Sequence, residues 1–332
     1  MIPHMPRRAR TSAPPRALGR RAVVAGVLGL GLTGSLSGCR VRVDVGQGLA
    51  SGSPTRAPVA GEAALLALLD DTRGLATSLR TWPSPLAAPL AAVHTAQAQV
   101  LAALLERANV PVPEPTASSP SSSAPITSST SATRTPLPSP TLTTTAVAAA
   151  EAGALAGAAN LAMVPPDLAP AVCSVLAQRM AAAWILGGTW PALTPLSTGT
   201  WDSGALGEVL AATGGAAYGF DVVAAQGDPA TRARAIAAAR RLRALEAEQA
   251  AAGTVPTAPA VGYVLPFRVT TPALALRLAG VLVTGLENGY GAALPAATAP
   301  VAFGDLVRWL AYAVELAHEW GAPISPFPGM VR

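Results

Sequence analysis

The sequence contains no lysine: its 23 basic residues are all arginine, set against 18 acidic ones. Alanine, glycine and proline are abundant, a bias that reads as codon usage rather than function. Histidine occurs three times and cysteine twice, and only 4% of residues are aromatic. So few imidazoles exclude a histidine-rich metal centre. No Gly-x-Ser-x-Gly elbow, phosphate-binding glycine loop or dinucleotide fingerprint is present, so the reaction classes those motifs signal have no support. The formal net charge of +5 invites a polyanionic partner, but six arginines lie within the first 21 residues. The remainder carries 17 arginines against 18 acidic residues, which leaves no basic patch for nucleic-acid phosphates.

Those six residues, Arg7, Arg8, Arg10, Arg16, Arg20 and Arg21, precede an uncharged stretch from Ala22 to Gly38 that ends in Leu36-Ser37-Gly38-Cys39. This is the order of a basic n-region, an apolar h-region and a small-residue processing site. The apolar run is 17 residues long and interrupted by five glycines. A spanning helix needs about 20 predominantly apolar residues, so residues 1–38 are expected to be a removable signal peptide. The tetrapeptide resembles the lipobox of bacterial lipoproteins, in which the cysteine thiol is acylated and becomes the first mature residue. Cys39 is therefore the expected lipidation site, anchoring the chain to the outer face of the cytoplasmic membrane. Arg20-Arg21 also resembles a twin-arginine export signal, although such a pair is equally at home in an ordinary n-region. With Cys39 modified, Cys173 has no disulfide partner and is expected to pack as a small apolar residue.

Along the mature chain, 39–60 is polar, glycine-containing and aperiodic, as a flexible tether would be. Leucines at 65, 69, 75 and 79, then apolar residues from Leu90 to Leu105, follow a helical period on either side of Trp82-Pro83-Ser84-Pro85. They predict a helical hairpin over 61–110. From 111 to 145, 26 of 35 residues are Pro, Ser or Thr. A segment of that composition cannot bury enough apolar surface to offset its ordering entropy, and a disordered, O-glycosylatable insertion is expected. A second hairpin over 146–190 completes an N-terminal bundle.

The C-terminal part, 200–329, carries clear helix starts. Asp202, Asp228-Pro229 and Thr271-Pro272 are N-cap signals, and a fourth helix runs from Pro300 to Trp320, closed by Gly321. Short first and last connections imply two antiparallel hairpins. The residues between them, 253–270, are long enough to run the whole length of a helix, as in the crossover of a four-helix bundle. The fold class expected is all-α: a C-terminal four-helix bundle preceded by a second helical bundle.

Ala217-Tyr218-Gly219-Phe220, Arg240 and Arg243, Tyr263-Val264-Leu265-Pro266-Phe267, and Trp320 with Pro326-Phe327-Pro328-Gly329 together resemble an uncharacterised ferritin-like domain of actinobacterial proteins, many of them lipoproteins. The resemblance implies a ferritin-like bundle, and also that a polar interior is missing. Where typical members carry a Glu-His pair, a histidine and mid-helix acids, this chain has Thr213-Gly214, Ala239, and Val283 with Gly285.

A di-iron site of that type needs a Glu-x-x-His on each of two helices. Only Glu315-Leu316-Ala317-His318 supplies one, with Glu208, Glu246, Glu248 and Glu287 as possible supplements. Glu315 and His318 are thus the candidate metal ligands, weighed against a solvated last helical turn; no catalytic residue and no cofactor is expected. His94 reads as a hydrogen-bonded structural histidine, Gly214, Gly215 and Gly219 as close helix packing, and Arg232, Arg234, Arg240, Arg241 and Arg243 as a solvated basic face. The functional expectation is a membrane-anchored, non-enzymatic scaffold or binding module taking an envelope protein or an apolar ligand. The rival is a ferritin-like metal-binding or redox protein with an atypical site. Cys39→Ala is expected to abolish membrane retention in fractionated cells; normal processing and retention of that variant would refute the lipobox.

Overall fold

The computed structural model describes residues 56–114, 142–189, 201–253 and 262–330. The expected signal peptide, Cys39 and all of the tether but its last few residues lie outside these, as does most of the Pro/Ser/Thr-rich insertion. Among the described residues the protein is all-helical, with no strand.

The N-terminal helices are α1 (Glu62–Ser78), α2 (Ala87–Arg107), α3 (Thr144–Gly153), the short α4 (Ala158–Leu161) and α5 (Ala169–Ile185). The C-terminal ones are α6 (Ser203–Gln226), α7 (Pro229–Ala251), α8 (Pro272–Ala292) and α9 (Pro300–Glu319). The anticipated caps are in place: Asp202, Asp228 and Thr271 accept the backbone N–H of Ala205, Thr231 and Leu274. A fourth cap was not anticipated. Thr143 accepts from Ala146 and starts α3 inside what the composition assigned to the insertion. An N-cap hydroxyl satisfies one of the helix's orphan N–H groups whatever the composition upstream.

Neighbouring residues fix the helix directions. Ala212 lies beside Gly289 and Gly219 beside Leu282, so α6 and α8 are antiparallel. Thr213 meets Gln249 and Asp221 meets Arg243, so α6 and α7 are antiparallel as well. It follows that α7 and α8 run in the same direction. The chain leaving α7 must therefore travel the length of the bundle before α8 begins, as its length predicted.

The sequence suggested two bundles; the structure has one continuous core running through both. Its centre is α5, whose seventeen residues include fourteen that are buried. A mostly apolar helix with no solvated face belongs in a core rather than on a surface. One side of α5 packs along α9, with Cys173 against the Phe303 carbonyl and Trp184 against Tyr312. The other side meets α3 and the turns that follow it. Leu65, Leu101, Leu176, Phe220 and Leu310 thus belong to one cluster. A satellite of Leu75, Leu79, Trp82, Leu90 and Val147 fills the α1–α2 turn.

The C-terminal tail closes the structure. Gly321, at φ 85°, turns the chain out of α9, and Gly329, at φ 75°, lies directly against Gly291 of α8. A side chain at either position of that pair would collide with backbone. Because the core is continuous, chemical unfolding followed by tryptophan fluorescence and by far-UV circular dichroism should give one coincident transition. Leu176→Ala, at a fully buried position, should shift both by about 2–5 kcal/mol. Two separable transitions would show that the halves fold independently.

Candidate functional site

Glu315 and His318, the candidate metal ligands, are not brought together. Glu315 turns toward α7, where it lies 3.5 Å from Arg241 with its side chain 14% exposed. His318 lines a cleft against α2 instead. Among the described residues no three His, Cys, Asp or Glu side chains are gathered closely enough to hold a metal ion.

Glu315 is also not the solvated residue of the alternative reading. Burial, and then the neighbouring Glu319 carboxylate, push its carboxyl up to about 7, with Arg241 opposing. Glu287, on α8, is raised to about 7 by burial. On the basic face of α7, Arg232, Arg234, Arg240 and Arg243 are exposed, as a solvated face would be, and Arg241 is half-buried. Arg241 pairs with Glu319 and lies over the Tyr312 ring, Arg234 stacks on Trp320 and donates to the Glu319 carbonyl, and Arg243 pairs with Asp221.

The interior of the α6–α9 bundle is not stripped of polarity. At the position where the resemblance led us to expect a missing Glu-His pair, Thr213 Oγ1 lies 2.7 Å from both Gln249 Oε1 and the Tyr290 hydroxyl. Gln249 Nε2 donates to the same hydroxyl at 3.0 Å. All three side chains are buried, so a neutral hydrogen-bonded triad occupies that part of the interior. Beside it Gly214 makes room for the crossover residue Tyr263 and for Glu246 of α7, and Gly215 for Tyr263. Gly219, by contrast, makes room for Leu282 of α8.

The largest polar constellation lies elsewhere, among α1, α2, α3 and α5. His94 is fully buried, as a structural histidine would be, with Nδ1 3.0 Å from Gln97 Oε1 and Nε2 2.7 Å from Glu151 Oε1. The second Glu151 oxygen lies 2.5 Å from Arg179 Nε. Arg179 Nη2 donates to Asp71 Oδ2 at 2.7 Å and to the Ala150 carbonyl at 2.8 Å. Gln97 Nε2 donates to Gln178 Oε1 at 2.8 Å and to the Pro326 carbonyl at 2.9 Å, and Ser174 Oγ donates to the Pro328 carbonyl at 2.7 Å. The network therefore ties the N-terminal helices to the tail. Periodicity did not reveal Glu151 or Arg179. Their signal was solitude, since each is the only charged residue of its helix.

Between α2 and the tail lies an apolar cleft of about 420 Å³. Leu86, Pro89, Ala92 and Val93 form one wall and Ala322, Pro323, Ile324 and Pro326 the other, with the His318 imidazole at its edge. Such a combination, an apolar concavity with one polar group, is the usual character of a small-molecule site.

Residues 205–332 match the family profile of a domain of unknown function (DUF4439). The DUF4439 segment thus spans α6 to α9 and the tail, and its far wall is supplied by helices upstream of it. No curated protein and no solved structure matches the chain.

The pH behaviour of Glu315 follows from its environment. Its folded value lies above the ordinary carboxyl value of about 4.5, so folding favours the protonated form. Its contribution is fully present below about 4.5 and is lost as pH rises through about 7. Glu315→Gln should flatten the fall in melting temperature across that window and should not destabilise the protein at pH 8. A variant markedly less stable at pH 8 would show that the Arg241 ion pair outweighs desolvation.

Proposed function

We propose that this protein is an envelope lipoprotein, exported by residues 1–38 and anchored through acylated Cys39 to the outer face of the cytoplasmic membrane. Its folded residues form a non-enzymatic binding module whose cleft, between α2 and the tail, takes an apolar ligand. The observation that carries this reading is the cleft itself. It is the size of a small-molecule site, walled by aliphatic and proline side chains, and accessible from outside. The charged groups of the interior, by contrast, face one another. The hydrogen bonds of the His94 and Thr213 networks run between groups of the protein itself.

The finer reading of α6 to α9 as ferritin-like rests on two antiparallel hairpins joined by a full-length crossover, together with the sequence resemblance. A metal-binding or redox role through Glu315 and His318 is the rival. The two side chains serve different surroundings, which favours the binding module.

The test uses N-phenyl-1-naphthylamine, an apolar fluorophore. It should bind saturably at one site, and Ala92→Trp, which fills the cleft from an exposed position, should weaken binding by about tenfold, or 1.4 kcal/mol, without changing the melting temperature. Binding that is unaffected by that substitution would exclude this cleft. Stoichiometric iron, manganese or zinc in the purified protein would favour the rival.

A further inference from the structure

We propose that the cleft between α2 and the tail is selective for a single-chain aliphatic acid, whose carboxylate accepts a hydrogen bond from the His318 imidazole and whose chain lies between the two apolar walls. This ligand class presupposes that the cleft is a ligand site and specifies what fills it.

The walls decide the body of the ligand. Apart from His318, every side chain lining the cleft is alanine, valine, leucine, isoleucine or proline. With no Phe, Tyr or Trp among them, a flat aromatic ring finds no partner to stack on and gains from burial of area alone. An alkyl chain gains from the same burial and bends to follow the walls. Leu86 and Ile324 also pack against the satellite cluster of Leu79, Trp82 and Leu90, so core rather than solvent backs this part of the cleft.

His318 decides the head. Its side chain is the one lining group that can form a hydrogen bond. It is half-buried in the last turn of α9 and makes no hydrogen bond or ion pair with any described residue. Its ring nitrogens are not among the partnerless polar atoms that are sealed from solvent, so they remain open to a ligand. The neighbouring acids do not compete for the ring, since Glu315 and Glu319 both turn to Arg241 of α7. Nor do the carbonyls of the last turn: those of Leu316, Ala317 and His318 already accept from the N–H groups of Trp320, Gly321 and Ala322.

An imidazole carries a proton on one nitrogen in either tautomer, so it always has a donor to offer. A hydrocarbon without a head would cover that donor and displace its water with nothing in return, which costs free energy. An alcohol replaces the water with a neutral acceptor. A carboxylate replaces it with an ionised one, which forms the stronger hydrogen bond. An ammonium head has the opposite difficulty: no carboxylate lines the cleft, so its charge would be desolvated without a partner. At equal chain length the order of preference is therefore acid, then alcohol, then amine.

The test is displacement of N-phenyl-1-naphthylamine from the full chain by dodecanoate, dodecan-1-ol and dodecylamine, each below its aggregation limit, at pH 7.5, where the acid is ionised and the amine protonated. Dodecanoate should bind about tenfold more tightly than dodecan-1-ol, the difference between a charged and a neutral acceptor, and dodecylamine should bind more weakly than either. Ala92→Trp should weaken the binding of all three. In His318→Leu the preference for acid over alcohol should fall from about tenfold to about one. Equal affinities for dodecanoate and dodecan-1-ol in the unaltered protein, a comparison that needs no variant, would overturn the ligand class and leave the cleft a binding site. A preference that survives His318→Leu would do the same. If the fluorophore itself does not bind at one saturable site sensitive to Ala92→Trp, the reading of the cleft fails first and the ligand class falls with it.

Discussion

The Arg179 guanidinium has no solvent exposure, and the architecture of the N-terminal helices follows from the need to keep that charge matched. An isolated ion costs several kcal/mol to bury, and removing one partner of a buried pair typically costs about 3–5 kcal/mol. Here the partners come from separate elements: Asp71 from α1, Glu151 and the Ala150 carbonyl from α3, and His94 on the far side of Glu151 from α2. No hydrophobic contact in this region is as selective. Leucines slide past one another at small cost, whereas these four helices can meet in few registers without stranding a charge.

That selectivity helps to explain which parts of the fold were legible in the sequence. Helix starts were readable because capping is local: Asp202, Asp228 and Thr271 each bind an N–H three residues away. The crossover was readable because chain length bounds what a connection can span. The ion cluster was not readable, since Asp71, His94, Glu151 and Arg179 are scattered over more than a hundred residues and no short-range pattern joins them. The single core was hidden for a related reason. The apolar stripe of α9 was visible, and so was the apolar pattern of α5, but periodicity alone does not say which stripe meets which. Glu315 was misjudged as solvated because it flanks the buried stripe of α9; the α7 arginine and its aromatic neighbour close over it.

The two buried polar arrangements differ in kind. In the DUF4439 segment Thr213, Gln249 and Tyr290 are neutral, and their hydroxyl and amide groups hydrogen bond to one another across α6, α7 and α8. Upstream of it the cluster is ionic. The tail joins them, since it starts at the end of α9 and is hydrogen bonded to side chains of α2 and α5. The matched domain therefore has an interior of its own, yet its last residues are held by helices outside it.

The tail contacts also set an order of events. The Gln97 to Pro326 hydrogen bond joins residues 229 positions apart, and Ser174 to Pro328 joins residues 154 apart. Contacts of such long range form slowly because loop closure must precede them. Both depend on Pro326 and Pro328, which follow every described helix in the sequence. Until they arrive, α2 lacks one wall of its cleft and the Gln97 amide lacks its carbonyl acceptor. The helices can assemble from the N-terminus onward, but the surface between α2 and the tail exists only once Ala322 to Pro326 have docked beside α2.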